Sequence, residues 1–146
     1  MAHAFTYGTL MWPDIMARVC GPAAPADAPR AATLAGHARH PVRGEDYPGM
    51  IPAEGGAVVG RLYLDLPEEA WARLDAFEGD AYERREVLVT LPGGQWMTAW
   101  TYLFRADVAD RLDAGDWDEG RFAREGKARF VARYAGFEVI ERSAGD

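Results

Sequence analysis

A β-hairpin in the second half of the chain constrains the fold more than any other feature of the sequence. Residues 85–91 and 95–104 flank Pro92-Gly93-Gly94, a turn signal that joins two antiparallel strands. Both faces of the second arm are mostly apolar, with Trp96, Thr98, Trp100, Tyr102 and Phe104 on one face and Met97, Ala99, Thr101 and Leu103 on the other. Such a strand has to be covered on both sides. A barrel interior on one side and helices on the other meet that requirement.

The other predicted elements place this hairpin in a mixed fold. Strands are predicted at residues 4–7, 34–40 and 58–64, and helices at residues 13–20, 67–78 and 117–135. Residues 21–30 are predicted to be an extended loop, and residues 41–56 to be mostly loop that forms a lid or rim. A doubly wound sheet is disfavoured because strands and helices do not alternate regularly. We therefore expect one α+β domain over residues 1–146, a small, mostly antiparallel β-barrel flanked by helices.

The last predicted helix is defined by its ends and by one apolar stripe. Asp116 is a suitable N-terminal cap, and Gly136 is a suitable C-terminal stop. Between them, an inward stripe is predicted at Phe122, Gly126, Phe130 and Tyr134, with a small gap at the glycine.

The helix at residues 67–78 places a carboxylate where an apolar side chain is expected. Pro67 suits its first position and Gly79 suits its end. Trp71, Leu74 and Glu78 share one face, which the first two residues turn inward. Glu78 would then enter a partly buried site at the negative end of the helix dipole, and both effects raise the pKa of a carboxyl group. A carboxyl group with a raised pKa suits general acid–base catalysis.

The spacing leaves a second interpretation of this helix open. Glu78 would instead reach solvent from the last turn, or pair with Arg84 or Arg85. As a further alternative, Arg84 would contact a substrate bound near Glu78. Asp75 lies one step round the helix from Leu74, and we expect it to have a structural, hydrogen-bonding role.

The first predicted strand runs directly into Tyr7-Gly8-Thr9-Leu10. A glycine at a strand end lets a ligand approach the backbone closely. Successive N–H groups ahead of a helix N-terminus also favour a carboxylate. The alternative for this segment alone is a tight turn with a packed tyrosine.

Charge and composition exclude several classes of function. The chain has 16 basic and 23 acidic residues, a net charge of −7, and no basic stripe, so nucleic acid is not an expected partner. There is no secretory signal pattern and no apolar run of membrane-spanning length, so we expect a cytoplasmic protein that is complete from Met1 and has no membrane partner.

The metal-ligating residues are few and poorly spaced. Cys20 is the only cysteine, which excludes an intrachain disulfide and a cysteine-based metal site. We expect it to be a small buried residue in a reducing compartment. His3, His37 and His40 lack metal-ligand spacing.

Three motifs taken together resemble the gamma-glutamylcyclotransferase superfamily, in particular its gamma-glutamylamine cyclotransferase-like branch. They are Tyr7-Gly8-Thr9-Leu10, Tyr47-Pro48-Gly49 and Leu74-Asp75-Ala76-Phe77-Glu78-Gly79-Asp80-Ala81-Tyr82-Glu83-Arg84. Trp117, Phe130 and Tyr134-Ala135-Gly136-Phe137 are similar to the closing helix of that branch. The resemblance spans nearly the whole chain, and residues 21–30 match least well.

The resemblance implies a small barrel flanked by helices, with a cavity at one end. It also implies the cyclisation of a gamma-glutamyl group, which releases an amine and 5-oxoproline. In this family the glutamate of the motif is the catalytic base, which corresponds to Glu78. The gamma-glutamyl moiety would be held by Tyr7, Gly8, Thr9 and Leu10, with Tyr82 lining the pocket. No metal or organic cofactor is implied.

The sequence is also compatible with two further functions. The first is a non-catalytic module that binds a gamma-glutamyl or 5-oxoproline-like ligand, because a fold does not guarantee its chemistry. The second is a pathway-specific enzyme that removes a gamma-glutamyl group from a larger metabolite, with residues 21–30 and 41–56 shaping a wider mouth. In each case the expected partner is a small molecule and the expected assembly is a monomer.

Overall fold

The computed structural model describes residues 2–133, in which five strands close into a barrel. The strands are β1 (Ala2–Thr6), β2 (Arg30–Pro41), β3 (Pro48–Leu66), β4 (Tyr82–Thr90) and β5 (Trp96–Phe104). Their order around the barrel is β1-β3-β2-β4-β5. Strand β1 runs parallel to β5, and the other neighbouring pairs are antiparallel. The predicted α+β barrel is confirmed.

The helices lie mainly in three parts of the chain. The α-helices are α1 (Pro13–Cys20), α2 (Glu68–Glu78), α3 (Glu119–Arg121) and α4 (Lys127–Arg133). Short 3₁₀ helices cover Thr9–Met11, Gly21–Ala23 and Ala106–Arg111. Helices α1 and α2 pack on each other and on the barrel through their buried faces, which include Ile15, Trp71 and Leu74.

Parts of the barrel wall are covered on both faces, whereas residues 84–86 and Leu88 of β4 are exposed. One apolar cluster draws residues from all five strands, among them Phe5, Leu62 and Ala99, and fills the barrel interior. A second cluster joins the outer faces of the strands to the helices. The adjacent residues Leu62 and Tyr63 fall in different clusters and are 0% and 2% exposed. This two-sided burial is what the apolar faces of the hairpin predicted, although Trp96 at its start is 62% exposed.

The prediction that residues 41–56 are mostly loop was wrong for residues 48–56. Strand β3 begins at Pro48, which pairs with Pro41 across the turn, and the ladder extends to Arg30 opposite Leu62. The register shifts between Ala35 and His37, where the glycine-rich part of β3 accommodates extra residues. Proline is tolerated at the first residue of a strand, and glycine is common at bulges. The proline and glycine content therefore marked a start and a bulge within a strand.

The cap of the C-terminal helical region also differs from the prediction. Asp118 rather than Asp116 caps it, because Asp118 Oδ1 accepts the N–H of Arg121 at 2.9 Å. Asp116 instead accepts a hydrogen bond from Arg39 Nε at 2.9 Å.

The region is also not one continuous α-helix. A π-helical segment, Phe122–Gly126, separates α3 from α4. Phe122, Gly126 and Phe130 are buried as the stripe predicted. Tyr134 and Gly136 lie outside the described residues.

We predict that Gly60→Ala destabilises the barrel by about 1–3 kcal/mol, because an added methyl group overpacks a filled space. A Cβ at this position of β3 would overlap the carbonyl oxygen of Thr6 and lie 2.9 Å from the Phe5 ring. Urea unfolding measures the change, and Val59→Ala at the exposed neighbouring position is the control. Equal stability of the two variants would contradict the close approach of β1 and β3.

Candidate active site

A cavity of about 320 Å³ opens at one end of the barrel, between β1, β5 and the last turn of α2. Tyr7, Gly8, Thr9, Leu10, Glu78 and Tyr82, the residues that the sequence singled out, all line it. The structure therefore brings every predicted site residue to one place.

The Tyr7–Leu10 segment takes its shape from the end of β1 and the 3₁₀ helix that follows. The first N–H groups of such a helix have no carbonyl within the helix to bond, so they are available to a ligand. Gly8 is required by packing, because a Cβ there would lie 2.8 Å from the ring of Pro48. The turn therefore passes directly beneath the start of β3.

Arg39 fixes the orientation of this segment and was missed by the sequence reasoning. Its Nη1 donates to the Tyr7 carbonyl at 2.8 Å, while Nε donates to Asp116. Because the C=O and N–H of a trans peptide point in opposite directions, the Gly8 N–H is directed away from Arg39. No local signal in β2 reveals this contact, since the partners are 32 residues apart.

Glu78 is the last residue of α2, as its position before Gly79 predicted. Gly79 adopts φ 76°, a positive φ that favours glycine, and its N–H donates to the Asp75 carbonyl at 3.2 Å. Trp71 and Leu74 on the same face are buried, and Glu78 is partly buried where it lines the cavity. The face therefore turns inward as its spacing predicted.

Burial first, and then the charge of the neighbouring Asp75 carboxylate, raise the pKa of Glu78 to about 8. Burial disfavours the charged form, and a like charge adds to that effect. The sequence pointed to burial and to the helix dipole, and it did not identify Asp75 as a cause. A carboxyl group in this state exchanges a proton near neutral pH.

Among the tyrosines that line the cavity, Tyr7, Tyr82 and Tyr102 each donate a hydrogen bond to a protein acceptor. Tyr7 donates to the carbonyl of Tyr102 at 2.6 Å, and Tyr82 donates to the carbonyl of Pro48 at 2.7 Å. Tyr102 donates to Asp75 Oδ1 at 2.6 Å. Burial, and then the charge of Glu78, raise the pKa of Tyr7 well above its usual value. Burial also raises the pKa of Tyr102, so Tyr7 and Tyr102 stay neutral.

Arg84 pairs with Asp75 and not with Glu78, which answers one question that the sequence left open. Its Nε lies 3.2 Å from Asp75 Oδ1, and its Nη2 donates to Oδ2 at 3.2 Å. The guanidinium also lies 5.0 Å from the ring centroid of Trp71 and 5.2 Å from that of Trp100. Asp75 thus has the structural role predicted for it, between α2, β4 and β5.

Several cavity residues were not named as site residues from the sequence. They come from distant parts of the chain: Tyr47, Pro48, Trp100, Tyr102, Arg111 and Phe130. The Tyr47-Pro48-Gly49 motif was the one available signal for the first two. The sequence placed Trp100 on one apolar face of the hairpin, and the structure places it, partly buried, in the cavity lining.

The described residues offer no group of three or more His, Cys, Asp or Glu side chains arranged to hold a metal ion. Cys20 is fully buried, and burial raises the pKa of its thiol to about 11. Between residues 2 and 133, no helix is both long and apolar enough to span a membrane.

The barrel, its helices and the cavity define the α+β fold of gamma-glutamylcyclotransferase-like proteins. The chain belongs to the family described as "Gamma-glutamyl cyclotransferase, AIG2-like", whose sequence model matches residues 4–119. This match confirms the resemblance found in the motifs.

The similarity of the chain to individual proteins is consistent with this family assignment. The chain is 30% identical to AIG2-like protein A of Arabidopsis thaliana over 133 aligned residues, and the alignment covers 90% of this chain and 78% of that protein. A solution structure from Arabidopsis thaliana has a TM-score of 0.68 at 25% identity, covering 96% of this chain and 92% of the other. An AIG2-like protein from mouse shares the fold, with a TM-score of 0.61 at 22% identity, covering 82% of this chain and 88% of the other.

We predict that Glu78→Gln increases stability progressively as the pH rises. The folded pKa of about 8 lies above the ordinary value of 4.5. The folded protein therefore keeps a proton that the unfolded chain has lost, and its unfolding free energy falls as the pH rises through this range. Glutamine has no such proton. The advantage of the variant should grow by about 2–4 kcal/mol between roughly pH 5 and pH 9, since a tenfold change in an ionisation constant corresponds to about 1.4 kcal/mol.

Urea unfolding across this pH range measures the difference. Glu69→Gln, at an exposed position of the same helix, is the matched control and should show no comparable trend. Parallel pH dependence of the wild type and Glu78→Gln would show that Glu78 titrates normally.

Proposed function

We propose that the protein is a gamma-glutamyl(amine) cyclotransferase that releases 5-oxoproline and a free amine, with Glu78 as the general acid and base. The observation that carries this proposal is the single cavity that joins the Glu78 carboxyl group to the Tyr7–Leu10 turn. The raised pKa of that carboxyl group supports it. Membership of the family supports the reaction class.

The proton transfers balance without a covalent enzyme intermediate. Ionised Glu78 takes one proton from the α-ammonium of the substrate, and the free amine then attacks the γ-carbonyl carbon. The attacking nitrogen bonds to that carbon and passes its extra proton to the departing nitrogen as the old C–N bond breaks. Protonated Glu78 then gives its proton to the released amine, which leaves as an ammonium ion, and Glu78 returns to its starting state.

The turn at Tyr7–Leu10 would hold the gamma-glutamyl group and stabilise the tetrahedral oxyanion. N–H groups of Gly8, Thr9 and Leu10 are the proposed donors, since preorganised backbone donors stabilise such charges effectively. Tyr82, held by its bond to Pro48, would line the pocket. The flexible glutamyl chain has to be folded into a ring-like pose, so orientation supplies a large part of the catalysis.

The proposal includes a cellular compartment and an oligomeric state for the enzyme. A single cysteine that is free and buried fits a reducing compartment such as the cytoplasm. We expect a monomer that acts on a small gamma-glutamyl substrate.

Replacement of Glu78 tests the reaction directly. Glu78→Gln should lower kcat/KM for 5-oxoproline release from gamma-glutamyl amines by about 10²–10⁴-fold, the usual contribution of a general acid or base. Glu69→Gln should keep wild-type activity, since it removes the same charge from an exposed site on α2. Equal release by the wild type and Glu78→Gln across a broad panel would refute the catalytic role. Binding of 5-oxoproline without turnover would favour a non-catalytic binding module instead.

The pH profile provides an independent test. Because Glu78 must be ionised to accept the first proton, we expect kcat/KM to rise with pH up to about 8. At about pH 6 it should lie roughly 100-fold below its maximum, as one essential ionisation dictates. A bound α-ammonium favours the charged carboxylate, so the acid limb of kcat should lie at lower pH than that of kcat/KM. A flat wild-type profile between about pH 6 and pH 8 would contradict this assignment.

A further inference from the structure

The polar side chains that line the cavity differ in whether they form hydrogen bonds or ion pairs with other described residues. The hydroxyl groups of Thr6, Tyr7, Tyr82 and Tyr102 all donate to protein acceptors. The charged residues of the lining are Glu78, Asp80 and Arg111. Arg111 is therefore the one cation among the described lining residues.

The main chain of Arg111 is held in place by hydrogen bonds near the turn between β2 and β3. This residue ends the 3₁₀ helix Ala106–Arg111, and its carbonyl accepts the N–H of Arg43 at 2.8 Å. Two residues on, the N–H of Asp113 donates to the carbonyl of Pro41 at 2.8 Å. These bonds fasten the segment to the turn between β2 and β3.

The nearby arginines are already engaged, in contrast to Arg111. Arg43 bonds to the Asp113 carboxylate and to the carbonyl of Asp110, and Arg105 bonds to the carbonyl of Asp80. Within residues 2–133, the guanidinium of Arg111 has neither an acidic partner nor a carbonyl acceptor. A free, fork-shaped guanidinium suits the recognition of a carboxylate.

The position of Arg111 indicates which part of a substrate it would meet. Glu78 and the Tyr7–Leu10 turn, which take the gamma-glutamyl half, are partly or fully buried. Arg111 is exposed, so it lies at the solvent side of the same cavity. The amine half of a substrate whose glutamyl half lies inside points toward that side.

On the basis of the proposed function, we infer that Arg111 determines specificity by binding a carboxylate on the amine half of the substrate. The preferred substrates are then gamma-glutamyl conjugates of amino acids or other carboxylated amines, rather than of simple alkyl amines. Asp80, the other exposed charge of the lining, repels a carboxylate and restricts where it can sit. The net charge of −7 also repels anions, so the selectivity depends on this local cation.

Matched substrate pairs test the inference. Gamma-glutamyl-glycine, gamma-glutamyl-β-alanine and gamma-glutamyl-4-aminobutyrate are each compared with the corresponding terminal amide, which differs only in lacking the charge. The wild type should favour at least one acid over its amide by about tenfold in kcat/KM, chiefly through KM, as expected for a charge-assisted pair. Arg111→Gln should bring that ratio close to one, and Arg111→Lys should restore part of it.

Two control variants separate local recognition from general electrostatics. Arg85→Gln removes the same charge from an exposed arginine outside the cavity, and it should keep the wild-type ratio. Asp80→Asn removes the competing anion and should increase the preference for the acid.

The results for this inference are distinguishable from those for the reaction itself. An equal loss on acid and amide in Arg111→Gln would place the guanidinium on the glutamyl half and overturn the inference, while Glu78-dependent turnover would leave the proposed function standing. Calorimetric Kd values for each pair, measured on Glu78→Gln with and without Arg111→Gln, decide the inference even if no conjugate is turned over. A ratio of Kd values that is unchanged by loss of Arg111 would refute it.

Discussion

The closure of the barrel by β1 is the constraint on which the site depends. This strand pairs with β3 along one edge and with β5 along the other, where Ala4 lies opposite Trp100. Two buried hydroxyl groups reinforce the second edge: Thr101 donates to the Phe5 carbonyl at 2.9 Å, and Tyr7 donates to the Tyr102 carbonyl at 2.6 Å. In a buried setting such bonds are costly to leave unmade, so they hold the strands in register. The turn that follows β1 is thereby fixed beside the end of α2.

The cavity also depends on a charged network behind its wall. Asp75 accepts hydrogen bonds from Tyr102 and Arg84, and the Arg84 guanidinium lies close to the rings of Trp71 and Trp100. The network ties α2 to β4 and β5 without contributing a free charge to the cavity. Because Arg84 is engaged with Asp75, it does not pair with Glu78, and the carboxyl group keeps its raised pKa. The Asp75–Arg84 pair thus indirectly preserves the raised pKa of Glu78.

Local patterns in the sequence were sufficient for the elements that carry the site. The inward face of α2 follows from the spacing of Trp71, Leu74 and Glu78, and the hairpin follows from its glycine turn. Patterns failed where a distant strand decides the conformation, as in residues 48–56, which pair with β2 despite their proline and glycine content. They also failed for Arg39 and Arg111, because nothing near either residue in sequence marks the surface that it reaches.

A buried carboxyl group with a raised pKa is unfavourable for folding, and the arrangement around Glu78 shows how the structure tolerates it. The group lies at the end of a helix and at the edge of a cavity. The unfavourable free energy of its burial is therefore confined to one side chain, and the packing of the core is not disturbed. The hydroxyl groups of Tyr7 and Tyr102 donate to the Tyr102 carbonyl and to Asp75, not to Glu78. A ligand that brings an ammonium group would relieve the charge of Glu78. Substrate binding and ionisation of Glu78 are therefore coupled, and each favours the other.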